Sequence, residues 1–513
     1  MVDARAYHEE TNHTPEKLRS ASVSMDERNR PRPFKSYTEL ENISLPEIAP
    51  KGTPALEAIA VNTNDSIEGS ESLDMEAIAT LCYLAAGITQ ETEYKGEQVR
   101  FRAASCTGNL HHIDLYLVCG ELDDLEAGVY HFDPVAFALD ILRTGDFRGN
   151  VARASGDGAV ATAPLTMIAT STWWRNAWKY TERTYRHAFW DSGTVVANLL
   201  AAAHGSDQNA QVVTAFEDDA LVELLGIDPE DEAPLAAVTI GTGSEVPEVI
   251  DVEPIDPEEA PLSPDPRDHP LIHDAWQQSR LEDRKAVTNW RDQCLQSGPI
   301  GRVGAGEGER VDLDPVDRET ATARPLLETV ERRGSKRQYR ERGPTRRQLG
   351  TILDRATRGV PGDWNGGNAS GLDYLDCYVL CTDVQEVPDG LYQYHPEDDA
   401  LERLDDVTST DQQRLALGQD WAGEAHVNIY LMADVETIVE HLGNRGYRLA
   451  QLEAGIILGR LYIATAAHRL LGGTGLTFFD ERVNEYLSPR ASEQFPMTMF
   501  AFGKIDVEKG QRF

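Results

Sequence analysis

The sequence predicts an α+β fold built from two tandem copies of one domain. Residues 114–119 resemble residues 376–381, and the pair Tyr185-Arg186 recurs as Tyr447-Arg448, both at a separation of 262 positions. Within each copy, short β-rich runs mix with long helical segments without strict alternation, which favours α+β over a doubly wound sheet. The length of 513 residues is also too great for one ordinary core and suits two domains.

The predicted order in each copy is helix, strand, hairpin, strand, long helix, short helix and strand. Strands are expected at residues 115–118 and 236–240, and helices at residues 191–204 and 451–470. The last of these is largely apolar, so we expect it to be buried.

The repeat is uneven near the start of each copy. Leu81 and Gly87 match Leu353 and Gly359 at a separation of 272 positions instead of 262. The first copy therefore contains about ten additional residues between Gly87 and Asp114.

Four segments follow from these patterns. We predict a leader at residues 1–50, the first copy at 51–245, a linker at 246–320 and the second copy at 321–513. The linker is rich in Pro, Gly and acidic residues, and it contains one amphipathic helix at residues 269–293.

The net charge of −38, from 86 acidic and 48 basic residues, disfavours nucleic acid and anionic membranes as partners. Nine Lys among the basic residues, with this acidic excess, are typical of a cytoplasmic protein from a high-salt cell such as a halophilic archaeon. A GC-rich genome would explain the scarcity of Lys but not the net charge. No apolar run reaches bilayer length, and the N-terminus is polar, so we expect no membrane span and no signal peptide.

The six Cys residues are too few for a disulfide framework in a chain of this length. We expect all six to be reduced and none to bind a metal, because no Cys or His pair has zinc-site spacing. His111 and His112 are adjacent and point to opposite faces of an extended segment, so they are not expected to share a metal.

A dense basic cluster opens the second copy. Five basic residues lie within residues 332–340 of a strongly acidic chain. Arg side chains with a hydroxyl and a flexible Gly suit phosphate binding, whereas such a run is also common on a solvated surface. The residues alone leave both interpretations open.

The run Arg333-Gly334-Ser335-Lys336-Arg337 resembles the motif that holds the FMN phosphate and ribityl chain in the nitroreductase family. Gly108-Asn109-Leu110-His111, residues 178–186 and Asp191-Ser192-Gly193 resemble three motifs of its SagB-type dehydrogenases, which include azoline oxidases. The resemblance extends over essentially the whole chain. It implies a flavin site between two such domains, so that the tandem repeat forms an intrachain pseudo-dimer.

The repeat predicts that the two flavin sites of this pseudo-dimer differ. Arg333, Ser335 and Arg337 fall on Val61, Thr63 and Asp65 of the first copy, which therefore lacks both arginines. The Gly-Asn-Leu-His loop belongs to the first copy, and its counterpart at residues 368–371 is degenerate. We expect one FMN per chain, held by the second copy and covered by the first.

Further cofactor contacts follow from the resemblance. Cys106, Gly108 and Asn109 belong to the covering loop, and Gly472, Gly473 and Gly475 match the glycines that approach the flavin ring. The second set is equally compatible with a helix C-terminal turn. Lys504 could complete the phosphate contacts, although a surface Lys is the more common case.

Lys179 and Tyr180 are the catalytic candidates. Oxidation of a carbon–nitrogen bond requires removal of a proton, and a Lys among Trp173, Trp174 and Trp178 would have a lowered pKa. The alternative is a Lys that extends along an aromatic surface. Departures from the family pattern, which leave the substrate in doubt, are Thr181, Thr194, residues 105–107 and His112.

The expected function is an FMN-dependent oxidoreductase of the SagB type, acting on a carbon–nitrogen or similar heterocyclic bond, such as a peptide azoline. The alternatives are an NAD(P)H-dependent nitro- or quinone-type reductase and a non-catalytic scaffold that binds flavin or peptide. A small molecule or peptide is the expected substrate, with a peptide-modifying protein as a partner. A homodimer of pseudo-dimers is compatible with the sequence.

Overall fold

The computed structural model describes residues 2–20, 25–49, 52–60, 73–94, 96–243, 246–317, 324–367 and 371–506. Val61, Thr63 and Asp65, the predicted counterparts of the basic motif, lie outside the described residues. So do residues 368–370 and the predicted domain limits at residues 50–51, 245, 320–321 and 513.

The first half of the chain forms a seven-stranded antiparallel sheet flanked by helices. Its strands and those of a separate hairpin are β1 (Asn42–Ser44), β2 (Ile88–Tyr94), β3 (Glu97–Arg102), β4 (Ile113–Cys119), β5 (Gly128–Asp133), β6 (Ala138–Thr144), β7 (Leu165–Thr172), β8 (Ala210–Val213) and β9 (Glu232–Ile240). The strand order in the sheet is β1-β6-β5-β4-β7-β9-β8, and β2 and β3 form a separate two-stranded sheet. This hairpin accounts for the additional residues after Gly87 in the first copy.

Helices cover both faces of this sheet. They are α1 (Ala4–Glu10), α2 (Pro15–Ser20), α3 (Ala55–Ala58), α4 (Met75–Ala86), α5 (Arg148–Ser155), α6 (Gly158–Thr162), α7 (Trp173–Tyr180), α8 (Thr184–His204) and α9 (Asp218–Leu225). Because neither face meets water, every residue of the central strands β4, β7 and β9 is buried.

The second half repeats this architecture. After α10 (Pro270–Gln278) and α11 (Arg284–Ser297), its helices are α12 (Leu326–Arg332), α13 (Arg346–Thr357), α14 (Ser409–Leu415), α15 (Asp420–Glu424), α16 (Val435–Ala467) and α17 (Asp480–Leu487). Its strands are β10 (Arg310–Asp312), β11 (Asp376–Cys381), β12 (Gly390–His395), β13 (Ala400–Asp405), β14 (Val427–Ala433), β15 (Leu471–Gly475) and β16 (Phe495–Lys504). The sheet order β10-β13-β12-β11-β14-β16-β15 matches that of the first sheet. The prediction of an α+β fold with two copies of one domain is confirmed.

The leader and the linker occupy equivalent places. β1 of the leader is the edge strand beside β6, and β10 of the linker is the edge strand beside β13. The described part of the linker, residues 246–317, contains two helices where one was predicted at residues 269–293, so this prediction was wrong. The break occurs where the Leu281 N–H binds the Asp218 carboxylate and Asp283 caps α11 through the Ala286 N–H.

The two long helices begin earlier than the sequence predicted. α8 begins at Thr184, and α16 extends from Val435 with a break at Gly443, where φ is +64°. By length and composition α16 could cross a membrane, yet 94% of its most apolar 18-residue stretch is buried inside the protein. This burial is typical of a core helix.

α8 and α16 cross at the centre of the molecule, at two repeat-related glycines. A Cβ at Gly455 would lie 2.6 Å from the Phe189 carbonyl oxygen, and one at Gly193 would lie 2.5 Å from the Gly455 carbonyl carbon. Glycine is therefore required on both helices at the crossing, and the two copies pack directly against each other.

Candidate functional site

An open cavity of about 380 Å³ lies between the β2–β3 hairpin of the first half and the segment after α12 in the second half. We call it the basic cavity, because five cationic side chains line it: Arg324, Arg332, Arg333, Lys336 and Arg469. Gly472 and Gly473 of β15 form part of its wall. A Cβ at Gly473 would lie 2.6 Å from the Ala501 carbonyl oxygen, so a side chain does not fit there.

Arg333 connects the two halves at this cavity. Its guanidinium donates to the carbonyl oxygens of Arg102, at 2.8 Å, and Ala103, at 3.0 Å, at the end of β3. It also lies over the Tyr462 ring, 5.4 Å from the centroid. Burial lowers the pKa of Arg333 from its usual value. A cation of the predicted phosphate motif therefore contacts the segment that leads into the glycine-containing loop of the first half.

The rest of the basic motif is more exposed. The Lys336 N–H donates to the Gly473 carbonyl at 3.0 Å, and burial, followed by the charge of Arg333, lowers the pKa of Lys336. Arg337 is exposed and lies 5.0 Å from the centroid of the Trp421 ring. Ser335 is exposed as well, and Gly334 lines the cavity. The motif thus spans the cavity and the surface beside it.

The loop of residues 105–112, which we call the glycine loop, is fastened to Asp191 of α8. The Asp191 carboxylate accepts from the Thr107 N–H at 2.7 Å and from the Thr107 hydroxyl at 2.8 Å. The Cys106 thiol donates to it at 3.4 Å, and His112 Nε2 lies 2.8 Å from the same oxygen. This carboxylate therefore determines where the loop lies.

Gly108 and Asn109 form the turn of this loop. Both have positive φ, +68° and +58°, which Gly and Asn adopt most readily. A Cβ at Gly108 would lie 2.8 Å from the Tyr180 hydroxyl, so the turn packs closely on that ring. The Asn109 amide donates to the Arg100 carbonyl at 3.0 Å. The predicted cofactor loop and the predicted catalytic pair therefore lie together.

Lys179 and Tyr180 end α7. The Lys179 ammonium lies 5.2 Å from the centroid of the Tyr180 ring. Burial, followed by the charges of Arg30 and Arg337, lowers the pKa of Lys179. Burial, followed by Asp191 and Cys106, raises the pKa of Tyr180. Arg337 of the second half is thus close enough to act electrostatically on the first half's candidate base.

The three tryptophans near Lys179 are held by separate partners. Their indole N–H groups donate to the Pro229 carbonyl, the Ser263 hydroxyl and the Asp26 carbonyl, for Trp173, Trp174 and Trp178 respectively. The sequence predicted that these tryptophans lower the pKa of Lys179. The causes in the structure are burial, followed by the charges of Arg30 and Arg337.

Seven of the eleven predicted cofactor residues do not line the basic cavity: Cys106, Gly108, Asn109, Ser335, Arg337, Gly475 and Lys504. Lys504 ends β16 opposite Leu471 and is half-buried. Gly475 donates its N–H to the Tyr462 hydroxyl at 2.6 Å. Sequence reasoning missed Arg324, Tyr462 and Arg469, which line the cavity from outside the basic motif and belong to no motif of their own.

In the first half, the position that the repeat relates to the basic cavity beside β15 is occupied by residues of the chain itself. We call residues 360–365 the plug, because they lie against β8, the counterpart of β15. The Val212 N–H donates to the Pro361 carbonyl at 2.8 Å, and the Asp363 N–H donates to the Val212 carbonyl at 3.0 Å. The Asp363 carboxylate accepts from the N–H groups of Thr214 and Ala215.

Trp364 fixes the plug on its other side. It is 1% exposed, and its indole N–H donates to the Asp373 carboxylate at 2.8 Å. The Asp373 and Tyr374 N–H groups in turn donate to Glu453, which is the repeat counterpart of Asp191. The two repeat-related positions therefore differ: one borders an open cavity and the other is packed with protein.

A model of the nitroreductase family matches residues 70–242 and 330–504, which is more than half of the chain. The protein therefore belongs to the nitroreductase family, whose members are generally flavin oxidoreductases. The match covers most of both repeats.

A protein of Methanocaldococcus jannaschii, named as a nitroreductase, is 26% identical to this chain over 189 residues. The aligned region covers 35% of this chain and 90% of that protein. A crystal structure from Anabaena variabilis, titled as a nitroreductase, is 22% identical with a TM-score of 0.75 and covers 99% of this chain and 100% of that chain. It shows that the whole two-domain fold occurs elsewhere. A chain of the E. coli microcin synthetase complex, with truncated pro-MccB17 bound, is 20% identical with a TM-score of 0.30, covering 47% of this chain and 92% of that one.

Proposed function

We propose that the protein is an FMN-dependent oxidoreductase of the SagB type, which oxidises a carbon–nitrogen or similar bond of a heterocyclic substrate, such as a peptide azoline. The observation that carries the proposal is the contact of Arg333 with Arg102 and Ala103. It brings the second half's phosphate motif to the base of the first half's glycine loop. A peptide-modifying protein would be a natural partner for such a peptide substrate.

The basic cavity and the residues around it fit FMN. Arg333, Lys336 and Arg337 supply charge for a phosphate dianion, and Ser335 supplies a hydroxyl. Gly472, Gly473 and Gly475 let the backbone approach a flat ring, while Cys106, Gly108 and Asn109 would cover the ring from the first half. When bound, FMN supplies the two-electron acceptor for hydride transfer.

Lys179 supports the chemistry by holding or taking a proton. Because its pKa is lowered, a larger neutral fraction exists near neutral pH than for an exposed Lys. A neutral amine beside Tyr180 can accept the proton that leaves the substrate carbon or nitrogen. Tyr180 keeps its own proton, since its pKa is raised, and can donate a hydrogen bond.

We also propose that each chain holds one FMN. The plug supports this, because it occupies the edge of β8 that corresponds to the glycine strand β15. The test is the flavin content of the purified full chain, from flavin absorbance and protein concentration. We expect about one FMN per chain, and a value near two would contradict the single site. A colourless protein that cannot be reconstituted with FMN would overturn the cofactor assignment.

A nitro- or quinone-type reductase driven by NAD(P)H is the second candidate, favoured by the similarity to proteins named as nitroreductases. Air-free mixing with NAD(P)H separates the two functions. Rapid bleaching of the flavin supports the reductase, whereas bleaching only by a heterocyclic substrate supports the dehydrogenase.

We further propose that the acidic surface is adapted to a salt-rich cytoplasm. With a net charge of −38, self-repulsion destabilises the folded state unless salt screens it. The unfolding midpoint should rise as KCl increases from about 0.1 M to about 1 M, where the screening length falls to about 3 Å. A midpoint independent of KCl would contradict this adaptation.

A further inference from the structure

Three side chains with metal-ligating atoms meet beneath the glycine loop. Cys106 Sγ lies 3.4 Å from Asp191 Oδ2, and His112 Nε2 lies 2.8 Å from the same oxygen. The three ligand atoms all lie within 4.8 Å of one another, and no other such group occurs in the part of the chain that the structure describes. We propose that Cys106, His112 and Asp191 bind one divalent transition-metal ion, with zinc as the best match.

The ligand chemistry supports a borderline-soft cation. One thiolate, one imidazole and one carboxylate are all ligands that Zn²⁺ accepts in tetrahedral sites. Oxygen-loving cations such as Mg²⁺ and Ca²⁺ would be disfavoured by the sulfur and nitrogen ligands. Three protein ligands leave a fourth position for water or another small ligand.

The charges also balance. His112 and Asp191 are fully buried, and Cys106 is partly buried. A thiolate and a carboxylate together carry two negative charges, which a divalent ion neutralises inside a low-dielectric environment. Because cysteine binds a metal as the thiolate, metal binding releases the Cys106 proton.

A second layer of hydrogen bonds orients each ligand. His112 Nδ1 lies 2.9 Å from the Ser171 hydroxyl, which suits a ring that coordinates a metal through Nε2. The Thr107 hydroxyl donates to Asp191 Oδ1, and the Thr107 N–H donates to Oδ2, the oxygen that faces Cys106 and His112. The His111 N–H donates to Cys106 Sγ at 3.1 Å, a bond that stabilises a thiolate. Such supporting bonds are typical of built metal sites.

A small cavity of about 10 Å³ lies beside Cys106 and Asp191, lined also by Arg102, His111 and Val195. A space of roughly 10–15 Å³ holds one water, so the cavity can accommodate the fourth ligand. Arg102 adds no bond to the ligands, because its guanidinium donates to the carbonyls of Ala86 and Ile113.

The site would clamp the glycine loop to α8. A metal bound to Cys106 and His112 on the loop and Asp191 on the helix replaces weak thiol and imidazole hydrogen bonds by coordinate bonds. This differs from the expectation drawn from Cys and His spacing, because the ligands are up to 85 positions apart in the chain. All three ligands belong to this chain, so the metal site requires neither bound flavin nor substrate.

The test is metal content of the full chain after incubation with Zn²⁺ and removal of free metal by dialysis. We expect about one zinc per chain by mass spectrometry and one sulfur scatterer at about 2.3 Å in zinc X-ray absorption. Cys106→Ala and His112→Ala should lose the metal, while Cys82→Ala, a buried thiol on α4, should retain it. Cys106→Ser should keep the fold, checked by circular dichroism, and lose the sulfur signal.

Wild-type protein with no more zinc than Cys106→Ala, or zinc without a sulfur ligand, would overturn the metal site. Flavin content measured on the same samples keeps the two proposals separate, since a protein with FMN and no zinc contradicts only the metal site.

Discussion

Arg186 of α8 binds the carboxylate of Asp480 of α17, in the other half of the chain, at 2.9 Å. The repeat-related pair, Arg448 of α16 and Asp218 of α9, makes the same contact at 2.8 Å. Both pairs are buried. Each half thus supplies an acid that holds the long helix of the other, as expected of two copies that pack like the subunits of a symmetric dimer.

Asp480 should be among the most important residues for stability. It accepts from Arg183 as well as Arg186, so Asp480→Ala leaves two buried guanidinium groups without their acid. We expect a loss of about 3–5 kcal/mol in the free energy of unfolding, measured by denaturant titration. Glu16→Ala, which removes an exposed ion pair, is the matched control and should change stability by less than about 0.5 kcal/mol.

Arg333 should control FMN affinity. Replacing it by Ala removes charge-assisted hydrogen bonds worth about 1.5–3 kcal/mol, which corresponds to roughly 10- to 150-fold weaker FMN binding. Flavin fluorescence titration of flavin-free protein measures the change. Arg332→Ala is the control, because Arg332 is exposed and pairs with Glu328. Equal losses of FMN affinity in both variants would show that FMN binding depends on the total positive charge of the cavity and not on Arg333 in particular.

Lys179 should set the pH dependence of substrate oxidation. If the neutral amine takes the proton, kcat rises with pH through a pKa below the usual 10.5 of Lys, because burial disfavours the ammonium. Lys179→Ala should lower kcat by about 10²- to 10⁴-fold and abolish this limb of the profile. The exposed Lys285→Ala serves as the control. Unchanged oxidation in Lys179→Ala would place the residue outside catalysis.

Glu453 should make the protein less stable as the pH rises. Burial, and then the charge of Asp373, raises its pKa from 4.5 to about 8. Between these values the folded protein keeps a proton that the unfolded chain loses, so the free energy of unfolding falls by at most about 1.4 kcal/mol per pH unit. Its stabilising contribution is complete below pH 4.5 and lost as the pH passes 8.

Denaturant titrations at several pH values measure this slope. Glu453→Gln should flatten it, whereas Glu440→Gln, at an exposed position of α16, should leave it unchanged. A slope that survives Glu453→Gln would assign the proton to another buried group.

Much of the fold could be predicted because its signals are local. Residues 115–118 and 236–240 lie within strands β4 and β9, since β-rich runs of this kind form strands wherever they are covered. The start of α8 was missed because Trp, Tyr and His near residues 184–190 carry little helical periodicity. The linker helix was predicted as continuous because the break depends on Asp218, which lies far away in sequence.

The sequence by itself determined the repeat, the α+β class and the positions of the basic motif and the glycine loop. These follow from residue identities at a constant separation and from local patterns of side chains. Only the tertiary structure decided that the plug fills one repeat position, that Arg333 contacts Ala103 across 230 positions, and that Cys106 meets His112 and Asp191. The physical reason is that such contacts arise when α8 and α16 cross and bring distant segments together, and local sequence contains no measure of that approach.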